Sequence, residues 1–169
     1  MTQTGTYHTH DAIPPVYDEH SRVLLLGTFP SPKSRAYGFY YGHPQNRFWP
    51  VLAAVLGEPI PRTNDEKRAL CLRRGIALWD VLASCRIVGA SDTSIKDPIP
   101  NPISRILGAA DIRAIFATGQ KAGDLYRRLC LPDTGREAVT LPSTSPANCR
   151  RHTIETLTEA YRVILPHLV

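Results

Sequence analysis

Four short apolar runs constrain this chain more than any other feature. The first, Val23-Leu24-Leu25-Leu26, is closed by Gly27; the others are Ile76-Ala77-Leu78-Trp79, residues 112–117 before Thr118-Gly119, and residues 138–141. Runs of this length that are apolar throughout, with no alternation, belong to strands covered on both faces. Between them the apolar residues recur at helical spacing. Phe48, Val51, Leu52, Val55 and Leu56 share one face, with Pro50 in the first turn where its missing N–H is tolerated. Ala122, Leu125, Tyr126 and Leu129 form a second such face, and Ile154, Leu157, Tyr161 and Ile164 mark a last helix that Pro166 stops. Asn64 is read as the cap of a helix ending near Gly75, and Asn101-Pro102 as the opening of a short one. Strands alternating with helices predict a three-layer αβα domain around a short, mainly parallel four-stranded sheet.

The other segments carry weaker patterns. Residues 1–20 are polar, with His8, His10, His20 and Pro14-Pro15, and read as an N-terminal arm on a single domain spanning 21–169. A polar stretch over about residues 84–98 interrupts the alternation. No apolar run is long enough to cross a membrane and the N-terminus has no signal or transit pattern, so the expected location is the cytoplasm. Cys71, Cys85, Cys130 and Cys149 stand singly with no C-x-x-C pair. That pattern suggests neither a zinc site nor an iron–sulfur cluster, and leaves a protein without metal or cofactor whose thiols are reduced. Twenty Lys and Arg against fifteen Asp and Glu give a net charge of +5, which favours an anionic partner without naming it. Nothing demands more than a monomer.

In open parallel sheets ligands collect at the carboxyl ends of the strands, so chemistry is sought in the loops after Leu26, Leu78, Ala117 and Leu141. The first loop runs from Gly27 through Thr28 and Phe29 to Lys33 and Arg35, then through Phe39, Tyr40, Tyr41 and His43 to Asn46. Lys33 and Arg35 offer cations to phosphate, and the three aromatic residues offer faces on which a base can stack or simply close the core. The last loop places Ser143, Thr144 and Ser145 just after a strand and before an expected helix start, with Arg150 and Arg151 a turn later. Hydroxyls and free N–H groups there suit a phosphate.

Together the two loops resemble the uracil-DNA glycosylase superfamily. The stretch GTFPSPKSRAYGFYYGHPQNRFW is similar to the signature of its hypoxanthine-acting branch, the DNA-deoxyinosine glycosylases. Its Gly-His-Pro-x-Asn-Arg-Phe-Trp segment is also similar to the mismatch-specific uracil glycosylases. The resemblance continues through GIALWDVLASC and LPSTSPAN and spans roughly residues 22–165.

The resemblance implies a monofunctional enzyme of base excision repair that flips a damaged base from DNA and hydrolyses its glycosidic bond. Many members carry Asp or Asn after the first strand to position water; here that place is Phe29, whose ring cannot. The resemblance moves the duty to Asn46, which stands equally well as a helix cap. It implies a base pocket of Gly27, Thr28, Phe29, Tyr41 and His43, although His43 suits a local turn as well. It leaves Lys33, Arg35, Ser143, Thr144, Ser145 and Arg150 to the DNA. Leu141 stands where many relatives have His or Asn, which argues against uracil as the main substrate. Asp80 is read as a loop cap that can also enter the pocket. Uracil or a G:T mismatch, a DNA-binding module without turnover, and a small-nucleotide hydrolase remain as alternatives.

Overall fold

The computed structural model describes residues 5–9, 13–89, 91–148 and 150–169. In chain order these form β1 (Thr6–Thr9), β2 (Val23–Gly27), α1 (Pro32–Tyr37), α2 (Phe48–Leu56), α3 (Asn64–Arg73), β3 (Ile76–Asp80) and β4 (Leu82–Ile87). They continue with β5 (Lys96–Pro100), α4 (Ser104–Ala109), β6 (Ala114–Thr118), α5 (Gln120–Leu125), α6 (Leu131–Thr134), β7 (Val139–Leu141) and α7 (Ile154–Tyr161).

The four apolar runs are β2, β3, β6 and β7. They pair in parallel in the order β3-β2-β6-β7, with Leu24 beside Ala77 on one flank and Ile115 on the other. Every residue of β2 and β3 is buried, because helices cover both faces of this central layer. α2 packs on α7, while α5 packs on β6 and β7. The three-layer αβα arrangement expected from the alternation is therefore present. Among the described residues no helix is long and apolar enough to cross a membrane.

A second sheet was not expected. β1, β4 and β5 form an antiparallel sheet in the order β1-β4-β5, built from residues 6–9, 82–87 and 96–100, which takes in both ends of the polar stretch 84–98. The described part of residues 1–20 is also more than a covering arm. Ile13 and Val16 are fully buried, Val16 bridges to Leu78, and the Tyr40 hydroxyl donates to Pro14 O at 3.0 Å. His10 lies outside the described residues.

Two caps differ from the sequence reading. Thr63, not Asn64, caps α3 by accepting from Glu66 N–H, and Asn64 instead reaches Tyr37 O. α4 starts at Ser104 without a side-chain cap, because the Asn101 amide is buried and donates to the carbonyls of Asp80 and Leu82 at 2.9 and 3.0 Å. The segment after Tyr126 widens into a π turn, Tyr126–Cys130, before α6. Pro132 lacks an N–H and crowds the carbonyl four residues back, so the helix loosens there and does not continue unchanged. Arg73 and Arg74 pair with Glu58 at 3.0 and 3.1 Å and hold its carboxyl below the usual range.

Two predictions follow from the core. Asn101→Ala removes the amide that donates to the Asp80 and Leu82 carbonyls and should cost about 2 kcal/mol in urea denaturation. Burial pushes the Cys71 thiol up to about 12 and the Cys85 and Cys130 thiols up to about 11. An unfolded chain releases those protons at about pH 8.5, whereas the folded one keeps them. Their stabilising effect is thus whole below that pH and lost as pH climbs toward the folded values, so the melting temperature should fall steadily above about pH 9. Cys149 lies outside the described residues.

Candidate active site

The carboxyl ends of the four parallel strands open into a cavity of about 140 Å³, lined by residues that include Gly27, Thr28, Phe29, Tyr41, Asn46, Asp80, Thr118, Ser143, Thr144 and Ser145. It communicates with an outer groove of about 690 Å³, which shares Thr28, Asp92, Thr118, Ser143 and Ser145 and adds Gln120, Lys121 and Arg151.

The first loop reaches the cavity by a path its small residues permit. Ser31 caps α1 by accepting from Ser34 N–H, Pro32 opens it, and Gly38 closes it at φ 74°. This Ser-Pro start and Gly stop were legible as a short helix inside the stretch read as loop. The chain then folds back, with Gly42 N–H donating to Ser34 Oγ at 3.0 Å. Phe39 and Tyr40 turn into the core, where Tyr40 O receives the Trp49 indole N–H.

Tyr40 and Tyr41 both border the cavity, and Tyr41 is the less buried of the two. Its backbone is held at φ 54°, a left-handed conformation that L side chains seldom adopt. Two contacts hold it there: the ring stacks on Phe48 at 3.8 Å between centroids, and the hydroxyl bonds Thr118 Oγ1 at 2.8 Å. Burial and the nearby Asp80 charge raise the Tyr41 hydroxyl well above its ordinary pKa, so it stays protonated.

Asn46 is the junction of the two loops. Its Oδ1 accepts from Phe48 N–H at 2.9 Å and from the Thr144 hydroxyl at 2.8 Å. An amide oxygen has two lone pairs, so both are taken, and the partners identify this atom as oxygen. The sequence expectation that Asn46 accepts a hydrogen bond from water therefore does not fit; its Nδ2 donor is the group without a protein partner among the described residues. Arg47 tightens the same junction: its N–H donates to Thr144 O at 3.1 Å and its guanidinium to the carbonyls of His152 and Ser145.

Other expected residues are placed differently. His43 is absent from the cavity lining; its Nδ1 accepts from Gln45 N–H at 3.0 Å, which makes it a turn residue. Lys33 is exposed on α1, and Arg35 lies over the Phe29 ring at 5.7 Å and donates to Pro30 O. Ser143 and Ser145 line both cavities, but no α-helix starts beside them. Their hydroxyls accept from Ser145 N–H and Ala147 N–H within the loop, and α7 begins only at Ile154 behind the Thr153–Thr156 capping box. Arg150 is exposed, and Leu141 is buried as the last residue of β7.

Asp80, read mainly as a loop cap, is 5% exposed and forms part of the cavity wall. A Cβ on Gly27 would lie 2.4 Å from its Oδ1, so glycine is required there by close approach. The sign available in the sequence was the position of Asp80 at the carboxyl end of an apolar strand, beside Gly27 in register. Among the described residues no group of three or more His, Cys, Asp or Glu could hold a metal ion.

Residues 14–168 match the family model described as the uracil DNA glycosylase superfamily. The chain is 37% identical over 139 residues to a protein named hypoxanthine DNA glycosylase from Methanosarcina barkeri, covering 81% of this chain and 87% of that one. A protein of the same name from Methanosarcina acetivorans matches to the same extent. The fold superposes with a TM-score of 0.76 and 31% identity on the solution NMR structure of a candidate uracil DNA glycosylase from Methanosarcina acetivorans, over 90% of this chain and 96% of the other.

Thr144→Val keeps the shape of the side chain but removes the donor to Asn46. It should lower stability by about 1 kcal/mol in thermal or urea unfolding and leave the secondary structure by circular dichroism unchanged.

Proposed function

The chain belongs to the uracil DNA glycosylase superfamily, and from that premise we propose that it removes hypoxanthine from DNA by hydrolysis, with Asn46 placing the attacking water. The fixed Asn46 carboxamide carries this reading. Two hydrogen bonds hold its oxygen, so the Nδ2 donor has a defined direction at the wall of a cavity that Tyr41 also lines. Donation from Nδ2 occupies one lone pair of a water molecule and leaves the other free to attack.

No strong base is needed for this chemistry. Cleavage of an N-glycosidic bond through an oxocarbenium-like sugar depends mainly on placed dipoles and nearby negative charge. Phe29, where other members of the superfamily carry an acid or amide, is compatible with such a mechanism. The Tyr41 ring, already stacked on Phe48 by one face, offers its other face to a flipped base. A stacking contact of that kind is worth about 1–3 kcal/mol, similar to the cost of extruding a mispaired base. The names of both Methanosarcina relatives point to hypoxanthine as the base, and the buried aliphatic Leu141 supplies no polar group for uracil. The enzyme then acts in DNA repair, on duplexes that offer phosphates to the partly buried Lys121 and the exposed Arg151 at the outer groove.

Oligonucleotide duplexes carrying one hypoxanthine or one uracil test this directly, with released base read as alkali-sensitive strand breaks. Wild type should release hypoxanthine faster than uracil. Asn46→Ala should lose about 10²–10³-fold in the single-turnover rate while still binding the duplex. Release at the wild-type rate by folded Asn46→Ala removes Asn46 from catalysis; no release from either duplex by wild type removes the hypoxanthine assignment.

A further inference from the structure

Two charged residues line the inner cavity, and they stand at different depths. Asp92 is exposed and also borders the outer groove; Asp80 is buried and borders the inner cavity alone. The strand order fixes the direction between them and Asn46. The wall runs from Asp80 on β3, past Gly27 on β2 and Thr118 on β6, to the loop after β7, where Thr144 holds Asn46. The outer groove opens on the β6 and β7 side, at Gln120, Lys121 and Arg151. A nucleotide that enters from the groove with its sugar at Asn46 therefore presents to Asp80 the base edge remote from the glycosidic nitrogen.

In a purine that edge carries N1 and the substituent on C6. Deamination inverts its hydrogen bonding. Adenine has a bare N1 lone pair beside an amino group, whereas hypoxanthine has an N1–H donor beside a carbonyl. A carboxylate only accepts. The neighbouring hydroxyls do not change this. Thr118 Oγ1 donates to Leu26 O at 3.3 Å, so the Tyr41 proton is the one shared between Tyr41 and Thr118, and the Tyr41 oxygen too faces its surroundings as an acceptor.

The geometry points to Asp80 as the residue that tells hypoxanthine from adenine at N1, by accepting a hydrogen bond from the lactam N1–H of hypoxanthine and opposing the N1 lone pair of adenine. The class of ligand it accepts is any purine with an N–H at that edge. Gly27 is the device that lets the carboxylate stand so close to the strand end, since any side chain there would displace it. This selection rests on the proposed removal of hypoxanthine and adds to it the atom that is read.

The test compares single-turnover release from duplexes containing deoxyinosine or its 1-deaza analogue, whose keto form has a C–H at position 1, carries its ring N–H at N3, and keeps the outline of the base. Wild type should prefer deoxyinosine by about 10–100-fold, the usual worth of a hydrogen bond to a charged group. In Asp80→Ala, and in the isosteric Asp80→Asn should the alanine variant fail to fold, that preference should shrink to a few-fold, because the acceptor charge is gone. A purely structural role for Asp80 would slow both substrates together and leave their ratio unchanged. An unchanged ratio in a folded variant overturns the inference, as does equal release of the two bases by wild type. In both cases release of hypoxanthine continues and the proposed function stands. Failure of wild type to release hypoxanthine at all overturns both.

Discussion

The Asn46 side-chain oxygen accepts a hydrogen bond from the Phe48 N–H two residues on and another from the Thr144 hydroxyl 98 residues away. On this one atom the start of α2 and the loop after β7 are joined, and Arg47 reinforces the joint through three carbonyls of the same loop region. The helix bond satisfies one of the N–H groups left open at every helix start. The Thr144 bond fixes the amide plane. A carboxamide held only by its own turn could rotate; one held at two points presents its nitrogen in a single direction. Capping and chemistry are thus compatible at Asn46, because the cap uses the oxygen and leaves the nitrogen.

The opposite wall depends on how the chain leaves the parallel sheet. β3 ends at Asp80 and β4 begins at Leu82, so a single residue, Val81, separates two sheets. Val81 N–H donates to Gly27 O, Leu82 N–H to Thr28 O, and Asn101 N–H to Val81 O, while the Asn101 amide takes the carbonyls on either side of Val81. The corner is saturated with hydrogen bonds and has little freedom to relax. Asp80 is carried into the cavity by this corner, and Gly27 leaves the space for it. The second sheet then contributes Ile87, and its β4–β5 connection Asp92, to the rim, so elements outside the αβα core also shape the site.

The parallel sheet was legible because β2, β3 and nearly all of β6 are buried on both faces, which requires continuous apolar runs such as Val23 to Leu26, whereas the edge strand β7 leaves Val139 and Thr140 exposed. The second sheet was not, for the complementary reason. β1 is largely exposed, β5 contains Pro98 and Pro100 and only partly buried side chains, and the β4–β5 pairing shifts register between Leu82, Ser84 and Arg86. Hydrophobic periodicity has little to register in strands of that kind. At the site, Gly27, Thr28, Phe29, Tyr41, Asn46, Ser143, Thr144 and Ser145 are brought together as the two loops suggested. His43, Lys33, Arg35 and Arg150 are not in the cavity, since a charged or polar residue next to a motif can equally bond its own loop or face water. Asp80 was undervalued because its depth depends on the Val81 corner and on Asn101, a contact between residues 21 apart that no local pattern announces.

Charge separates the two spaces of the site. None of the residues lining the inner cavity is Lys, Arg or His, and two of them are aspartates, whereas Lys121 and Arg151 stand at the outer groove. An anionic group drawn into the inner cavity would meet carboxylate and no compensating cation, at the low effective dielectric of a buried site. A neutral base enters without that cost. Phosphates would instead meet Lys121 and Arg151 at the outer groove, beside Asp92 and Asp124, where salt and water screen all of these charges. A small-nucleotide hydrolase would need its cations where this chain keeps Asp80, so the distribution of charge favours a polymer whose backbone remains outside while one base is taken in.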